Sequence, residues 1–147
     1  MALVSNKKAR FNFEILDTME AGISLLGTEV KSVRQGQGTL EGGHVVVRGG
    51  EAFLTGISIP AFQKTNIDPS YDPERTRKLL LTKKQIEVLY RHSEQSGLTI
   101  VPIALYNSGR NIKLEIGLAR GKKKVDKRET IKARDTEREL RRSLKWQ

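Results

Sequence analysis

Lysine and arginine, the side chains that bind phosphate, are concentrated in the last 28 residues of this chain. From Arg120 to Gln147 there are 12 Lys and Arg and 5 Asp and Glu, whereas residues 1–119 contain 15 and 12. This tail therefore carries +7 of the net charge of +10. A nearly balanced domain with a basic tail is typical of a protein that binds a polyanion, of which nucleic acid is the commonest.

The motifs that could support nucleotide chemistry fail on spacing. The segment Gly117-Leu-Ala-Arg-Gly-Lys122 has three residues between its glycines, where a P-loop has four, and no Ser or Thr follows it. Gly36-Gln-Gly38 does not complete a dinucleotide-binding fingerprint, because the next glycine, Gly42, comes one position late. Neither segment indicates a nucleotide-dependent enzyme.

Catalytic and metal-binding residues are equally scarce. The two histidines, His44 and His92, are far apart in the sequence, and there is no cysteine that either could activate. We expect His44 at the start of a strand and His92 on the outer face of a helix, both in solvated or structural roles. The sequence therefore predicts a protein that is not an enzyme and that uses no cofactor or metal.

Composition also bounds the location of the protein. The absence of cysteine fits a reducing compartment, and no apolar run approaches the ~20 residues of a membrane span. Residues 1–10 lack the apolar run of a secretory signal. We expect a cytoplasmic protein with no membrane partner, and the pI of about 10.0 favours RNA or DNA as the partner.

In the first half of the chain, apolar and polar residues alternate in a pattern typical of short β-strands. Apolar residues alternate with polar ones from Phe11 to Ile15, and a second short strand runs from Ile23 to Gly27 after a break at Glu20-Ala-Gly22. A short helix capped by Thr28 follows. Gly49-Gly50 supplies the two positive φ angles of a hairpin turn within residues 45–54.

A long polar loop at residues 61–77 leads to the firmest helix signal in the sequence. Thr82-Lys-Lys-Gln85 is a capping box, and we expect a helix from 83 to 96. A continuous apolar strand, Leu98–Tyr106, and a returning strand with Ile112, Leu114 and Ile116 on one face complete the pattern. The predicted fold is mainly β with helices: a small antiparallel OB-like β-barrel with flanking helices at residues 1–119, followed by the tail at 120–147.

Several basic residues of the predicted barrel could contact an RNA backbone. Their ordinary role would be to form a solvated surface. From the sequence alone, that role and phosphate binding are equally favoured. They lie on the short helix, in the long loop and on the returning strand: Lys31, Arg34, Arg75, Arg77, Lys78 and Lys113.

The tail has helix signals as well as charge. Asp126 stands three residues before Glu129, which is a capping box in its aspartate form, and neither Gly nor Pro follows as far as Trp146. Like charges at i,i+4, such as Arg128 and Lys132, disfavour the isolated helix. We expect a tail that is disordered in the free protein and becomes helical when a polyanion neutralises it; a merely solubilising tail is the alternative.

In the identity and order of several sequence blocks, the chain resembles the SmpB family of SsrA-binding proteins, the bacterial partners of transfer-messenger RNA (tmRNA). The resemblance covers nearly the whole chain from Asn6 onwards. The matching blocks are Lys8-Ala-Arg10, Glu20-Ala-Gly22, Gly27-Thr-Glu-Val-Lys-Ser32 with Arg34, Asp72-Pro-Glu-Arg-Thr-Arg-Lys-Leu-Leu-Leu81, Gly97-Leu-Thr-Ile-Val-Pro102, and Gly117-Leu-Ala-Arg-Gly-Lys-Lys123 followed by Asp126-Lys-Arg128.

The resemblance implies an RNA-binding protein that binds the tRNA-like domain of tmRNA and delivers it to stalled ribosomes for trans-translation, together with elongation factor Tu. It implies tmRNA-binding positions at Glu20, Leu80 and Lys113. It also implies that the tail enters the vacant mRNA channel and contacts small-subunit rRNA near the decoding centre. The tail residues expected to bind the ribosome are Lys122, Lys123, Lys124, Asp126, Lys127, Arg128, Lys132 and Arg134.

Some positions depart from the family pattern. Many relatives have His and Tyr where this chain has Phe11 and Phe13, and often an aromatic residue at His44. Val125 stands where relatives commonly have Tyr or His, so base stacking at that position is in question. The alternative function is a general RNA-binding or ribosome-associated OB-fold protein that is not specific for tmRNA.

Overall fold

The computed structural model describes residues 2–62 and 69–122, and a seven-stranded antiparallel sheet with three short helices accounts for most of that part of the chain. The strands are β1 (Ala2–Ser5), β2 (Phe13–Ile23), β3 (His44–Arg48), β4 (Glu51–Thr55), β5 (Arg77–Leu80), β6 (Leu98–Ser108) and β7 (Asn111–Gly121). The helices are α1 (Ala9–Asn12), α2 (Gly27–Arg34) and α3 (Lys83–Ser93). The strand order in the sheet is β1-β6-β7-β2-β5-β4-β3.

The core lies on one face of this sheet. Along β7, the predicted alternation is confirmed, because Ile112, Leu114 and Ile116 are all buried while the intervening residues are partly exposed. Helix α3 packs its buried Leu89 onto the same core and has residues close to both β3 and β6. Full burial of one such aliphatic side chain contributes about 1.5–3 kcal/mol.

The prediction of a closed barrel is wrong, although the mainly β class is confirmed. Strand β3 comes within 8 Å of β6 (Cα to Cα), yet it pairs with β4 alone. Strand β6 pairs with β7 along its whole length on one side and with β1 at residues 104–106 on the other. The sheet is therefore curled but open, with β1 and β3 as its edge strands.

The expected break at Glu20-Ala-Gly22 is also wrong, because these residues lie inside β2, which is 11 residues long. Gly22 allows β2 to pack closely against Leu80 of β5, since a Cβ atom at this position would lie 2.9 Å from Cβ of Leu80. Phe11 belongs to α1 instead of the first strand. Helix α2 is capped at Leu26, whose backbone N–H donates to the Glu29 carboxylate at 2.8 Å.

Two local predictions are confirmed. Gly49 and Gly50 have φ angles of 57° and 74° and join β3 to β4 in the expected hairpin. At the start of α3, the Gln85 backbone N–H donates to the Thr82 hydroxyl at 3.2 Å, and the Thr82 N–H donates to the Gln85 side chain at 2.9 Å. The helix ends at Ser93, three residues before the predicted end.

The boundary predicted at residue 119 falls two residues before the end of β7, so Arg120 and Gly121 belong to the sheet. The backbone N–H of Lys122 then donates to the Asn12 carbonyl at 3.1 Å. Residues 63–68 and 123–147 lie outside the described residues, and with them most of the predicted tail, including its helix from Asp126. None of the helices in the described ranges has the length and apolar content needed to cross a membrane.

Candidate nucleic-acid interface

Three of the predicted RNA-binding residues lie on one face of the sheet, opposite the core. Gly22 of β2 pairs with Leu80 of β5 on one side and with Lys113 of β7 on the other. Lys113 in turn pairs with Tyr106 of β6. Glu20 is two residues before Gly22 on the same strand, so its side chain points to the same side. We call the surface formed by Glu20, Leu80, Tyr106 and Lys113 the outer face.

The outer face combines apolar and charged groups in reach of solvent. Leu80 is 58% exposed, whereas its neighbour Leu79 is 2% exposed and belongs to the core. An exposed leucine beside a lysine and a glutamate offers an apolar contact for a base or sugar, a cation for phosphate and an acceptor for amino or hydroxyl groups. The arrangement has the chemistry of an RNA contact surface.

A depression of about 300 Å³ borders the outer face, between the sheet and α2. Leu80 and Lys113 line it together with Val30 of α2 and with Arg110 at the turn between β6 and β7. The guanidinium of Arg34, at the end of α2, donates to the Arg110 carbonyl at 2.7 Å. Arg34 is thereby bonded to one of the residues that line the same depression as Lys113.

Glu20 is held by a residue that the sequence analysis did not single out. The Tyr106 hydroxyl donates to Oε2 of Glu20 at 2.6 Å. Glu20 also pairs across the strands with Glu115 of β7. The sequence signal for Tyr106 was present, since the apolar strand ended on it, but only the strand order shows that it reaches Glu20.

The other basic residues predicted in the long loop and on β5 have different environments. Arg77 is fully buried, so the expectation that it contacts RNA is wrong. Arg75 is 30% exposed and is bonded to Glu29 through both Nε and Nη2. Lys78 is exposed on the same side of β5 as Leu80, and its ammonium lies 3.0 Å from the Glu51 carboxylate.

Glu29 is the buried partner of both arginines. Its Oε2 accepts from Arg77 Nε at 3.0 Å and from Arg75 Nε at 3.1 Å. Desolvation by burial raises the pKa of Glu29, but the hydrogen bonds from Arg75, the Leu26 backbone and Arg77 outweigh it, and the net pKa lies below the ordinary value. This cluster joins the start of α2 to β5, and so holds the helix that carries Arg34 beside the strand that carries Leu80.

Lys31 lies on α2 and is not part of the outer face. It is exposed on α2, and its Nζ is 5.9 Å from the centroid of the Phe62 ring. That distance is at the outer limit of a cation–π contact. The charge of Lys31 is therefore available to an RNA backbone that passes over α2.

The two histidines differ from each other. His44 is exposed at the start of β3, as predicted. The prediction that His92 faces outward is wrong, because it is 9% exposed and its Nε2 lies 3.0 Å from the Thr99 carbonyl and 3.1 Å from the Ala119 carbonyl. Since carbonyl oxygens only accept, Nε2 carries the proton, and His92 ties α3 to β6 and β7.

Two of the positions that depart from the family pattern, Phe13 and His44, lie at the other end of the sheet, and Val125 lies outside the described residues. Phe13 and His44 line a second depression of about 740 Å³ together with Lys8 and Asn12. Lys122 lies near this end, and its ammonium donates to the Arg10 carbonyl at 2.9 Å. The other ribosome-binding residues predicted for the tail, from Lys123 on, lie outside the described residues.

Comparison with known proteins matches both the sequence and the fold. The model of the family described as SmpB protein matches residues 3–146. The SsrA-binding protein of Microcystis aeruginosa is 48% identical over 143 residues, which cover 97% of this chain and 93% of that protein. The SsrA-binding protein of Leuconostoc mesenteroides is 50% identical over 143 residues, covering 97% and 92%.

A solved structure agrees with these relatives. It is described as "tmRNA-SmpB: a journey to the center of the bacterial ribosome". The similarity covers 82% of this chain and 84% of that chain, with a TM-score of 0.70 and 44% sequence identity.

Proposed function

The chain belongs to the SmpB family, and from this premise we propose that its outer face is the surface that binds the tRNA-like domain of tmRNA. As a member of this family it is an SsrA-binding protein that acts with the ribosome in trans-translation, and it is a non-enzymatic RNA-binding protein. The alternative of a general RNA-binding protein without tmRNA specificity is therefore set aside.

The observation that carries the proposal is the convergence of Glu20, Leu80 and Lys113 on one face. These residues come from three different strands and are separated by up to 93 positions in sequence, yet the pairing of β5, β2 and β7 brings them together. Lys113 supplies a charge for phosphate, Leu80 packs on an unstacked base or sugar, and Glu20 accepts from a base amino group or a ribose hydroxyl. Arg34 at the neighbouring depression adds a second cation.

The tail has a separate role in the proposal. Residues 123–147 contain ten Lys and Arg, and we assign to them the contact with small-subunit rRNA in the vacant mRNA channel. The support is the charge of the tail and the capping box at Asp126. Delivery with elongation factor Tu, and a cytoplasmic location where ribosomes work, belong to the same proposal.

Charge reversal at Lys113 tests the phosphate contact. We expect Lys113→Glu to weaken binding of the tRNA-like domain by about 1–3 kcal/mol, because a charge-assisted contact is lost and a repulsive one replaces it. The measurement is a gel-shift titration at fixed salt. Lys84→Glu, on the exposed first turn of α3, is the matched control for net charge. Equal weakening by both variants would show that only overall charge matters.

Substitution of Glu20 tests recognition that does not depend on charge attraction. We expect Glu20→Ala to weaken binding of tmRNA more than binding of an unrelated RNA, because a carboxylate can accept from RNA donors but repels phosphates. Competition titrations with both RNAs measure the ratio of affinities. Glu94→Ala, at the exposed end of α3, is the control. If Glu20→Ala tightens binding to all RNAs alike, Glu20 is only a repulsive surface charge.

A further inference from the structure

Tyr106 joins the tmRNA surface through its contact with Glu20. We infer that Tyr106 determines specificity for tmRNA as a positioning residue, because its hydroxyl holds the Glu20 carboxylate in one orientation on the outer face. The inference rests on the proposed function, in which Glu20 accepts hydrogen bonds from RNA.

The contact joins two strands that are not neighbours in the sheet. Tyr106 is on β6 and Glu20 is on β2, and β7 lies between these two strands. The hydrogen bond of 2.6 Å therefore spans the central strand, over the side chains that β7 places on this face. Tyr106 is paired with Lys113, so the phenol ring and the lysine stand side by side. The carboxylate is thereby fixed above β7, close to the cation proposed to bind phosphate.

Glu20 needs such a partner to keep a defined orientation. It is exposed, and an unrestrained glutamate samples several rotamers, whose loss on binding costs free energy. It also stands directly opposite Glu115, and like charges at such paired positions repel each other. Without the Tyr106 hydroxyl, this repulsion would turn the Glu20 side chain away from β7 and towards solvent.

Tyr106 is suited to act as a permanent donor. Burial raises the pKa of its phenol, and the hydrogen bond to Glu20 and the charges of Glu20 and Glu115 raise it further. The hydroxyl therefore keeps its proton throughout the physiological range and donates it to Oε2. Oε1 of Glu20 receives no hydrogen bond from the described residues, so it is the oxygen that can accept from a base amino group or a ribose hydroxyl.

The test is removal of the single hydroxyl in the full-length protein. Tyr106→Phe keeps the ring and its packing but frees Glu20. We expect binding of the isolated tRNA-like domain of tmRNA to weaken about three- to tenfold, which corresponds to the cost of ordering one side chain on binding. Binding of an unrelated RNA hairpin of the same length should be unchanged. Tyr90→Phe, on the exposed surface of α3, makes the same chemical change as a control.

A double-mutant cycle with Glu20→Ala separates positioning from a purely structural role. If Tyr106 acts through Glu20, adding Tyr106→Phe to Glu20→Ala causes no further loss of affinity, and the ratio of affinities for the two RNAs stays the same. A full further loss in the double variant, or equal loss for both RNAs, would overturn the inference.

The outcomes also distinguish the inference from the proposed function. If Glu20→Ala weakens tmRNA binding and Tyr106→Phe does not, the inference alone fails, and the outer face remains the binding surface. If Glu20→Ala has no effect on tmRNA binding, the proposed role of Glu20 fails, and the inference fails with it. Melting temperatures of all variants, measured alongside, show whether any loss of affinity comes from loss of the fold.

Discussion

A protein that ends at Lys122 should bind the tRNA-like domain of tmRNA within about twofold of the full-length affinity but should support no peptide tagging on stalled ribosomes. The proposed tmRNA contacts all lie before this point, on the outer face. The deletion removes ten Lys and Arg and five Asp and Glu, which are the residues that we assign to ribosomal RNA. The expected effect is therefore loss of one function with retention of the other.

The structure decides where this truncation is made. Cutting at residue 119, where composition alone placed the boundary, would remove Arg120 and Gly121 from β7 and the hydrogen bond of Lys122 to Asn12. A cut after Lys122 leaves the sheet complete. Gel-shift titration and a tagging assay on the same preparation measure the two functions, and full tagging by the truncated protein would show that the tail is not the ribosome contact.

Single substitutions refine this experiment. Lys127→Ala combined with Arg128→Ala should weaken ribosome binding and reduce its salt dependence, because fewer counterions are released. Asp126→Ala should cost about 1 kcal/mol of helix stability if Asp126 caps a helix on the ribosome. Asp135→Ala is the matched control for that change, since it removes the same charge from the tail outside the capping box.

Replacing Arg77 by alanine should lower the free energy of unfolding by about 3–5 kcal/mol, the largest stability effect that we expect from a single substitution. Both Arg77 and Glu29 are fully buried, and Arg77 donates to Glu29 and to the carbonyls of Arg75 and Pro73. Without Arg77, the Glu29 carboxylate stays buried with only part of its compensation. Urea unfolding followed by far-UV circular dichroism measures the loss.

An exposed ion pair provides the control for Arg77→Ala. Lys78→Ala removes the partner of Glu51, but both side chains are 49% exposed, and such pairs contribute about 0–1 kcal/mol. A double variant with Arg77→Met and Glu29→Gln should be less destabilised than the two single changes added together, because no buried charge is left unpaired. Similar losses for Arg77→Ala and Lys78→Ala would contradict the role that we assign to the buried cluster.

The same cluster makes a prediction about pH. The pKa of Glu29 is lower in the folded protein than in the unfolded chain, so its contribution to stability is present above the unfolded value of about 4.3 and is lost as the pH falls through the lowered folded value. Arg77→Ala removes one cause of that lowering. The difference in unfolding free energy between the two proteins should therefore be largest near neutral pH and should shrink as the pH falls below about 4.

Local sequence signals determined much of this protein. The hairpin at Gly49-Gly50 needs two positive φ angles, and the capping box at Thr82 needs only residues within one helical turn. The alternation in β7 is read along a single strand. These features depend only on residues that are close together in the sequence, so the sequence by itself was sufficient to predict them. The division between a balanced domain and a basic tail is likewise a property of composition.

The outer face depended on tertiary structure. The resemblance to SmpB proteins pointed to Glu20, Leu80 and Lys113, but their convergence follows from the order β5-β2-β7, which no local pattern encodes. Tyr106 was missed for the same reason. The barrel prediction failed because barrel closure depends on how the edge strands pair. Strand β1 pairs with part of β6 and β3 pairs with β4 alone, and the sequence does not show which edge a short strand will occupy.

Strand β5 shows most clearly what only the tertiary structure decided. Its four residues, Arg77-Lys-Leu-Leu80, do not alternate between polar and apolar, so the sequence cannot say which two side chains point inward. Pairing with β2 and β4 turns Arg77 and Leu79 into the interior and leaves Lys78 and Leu80 outside. A shift of one residue would bury Leu80 and expose Arg77. The buried Glu29 carboxylate makes the observed register favourable, because it gives Arg77 a partner inside the fold.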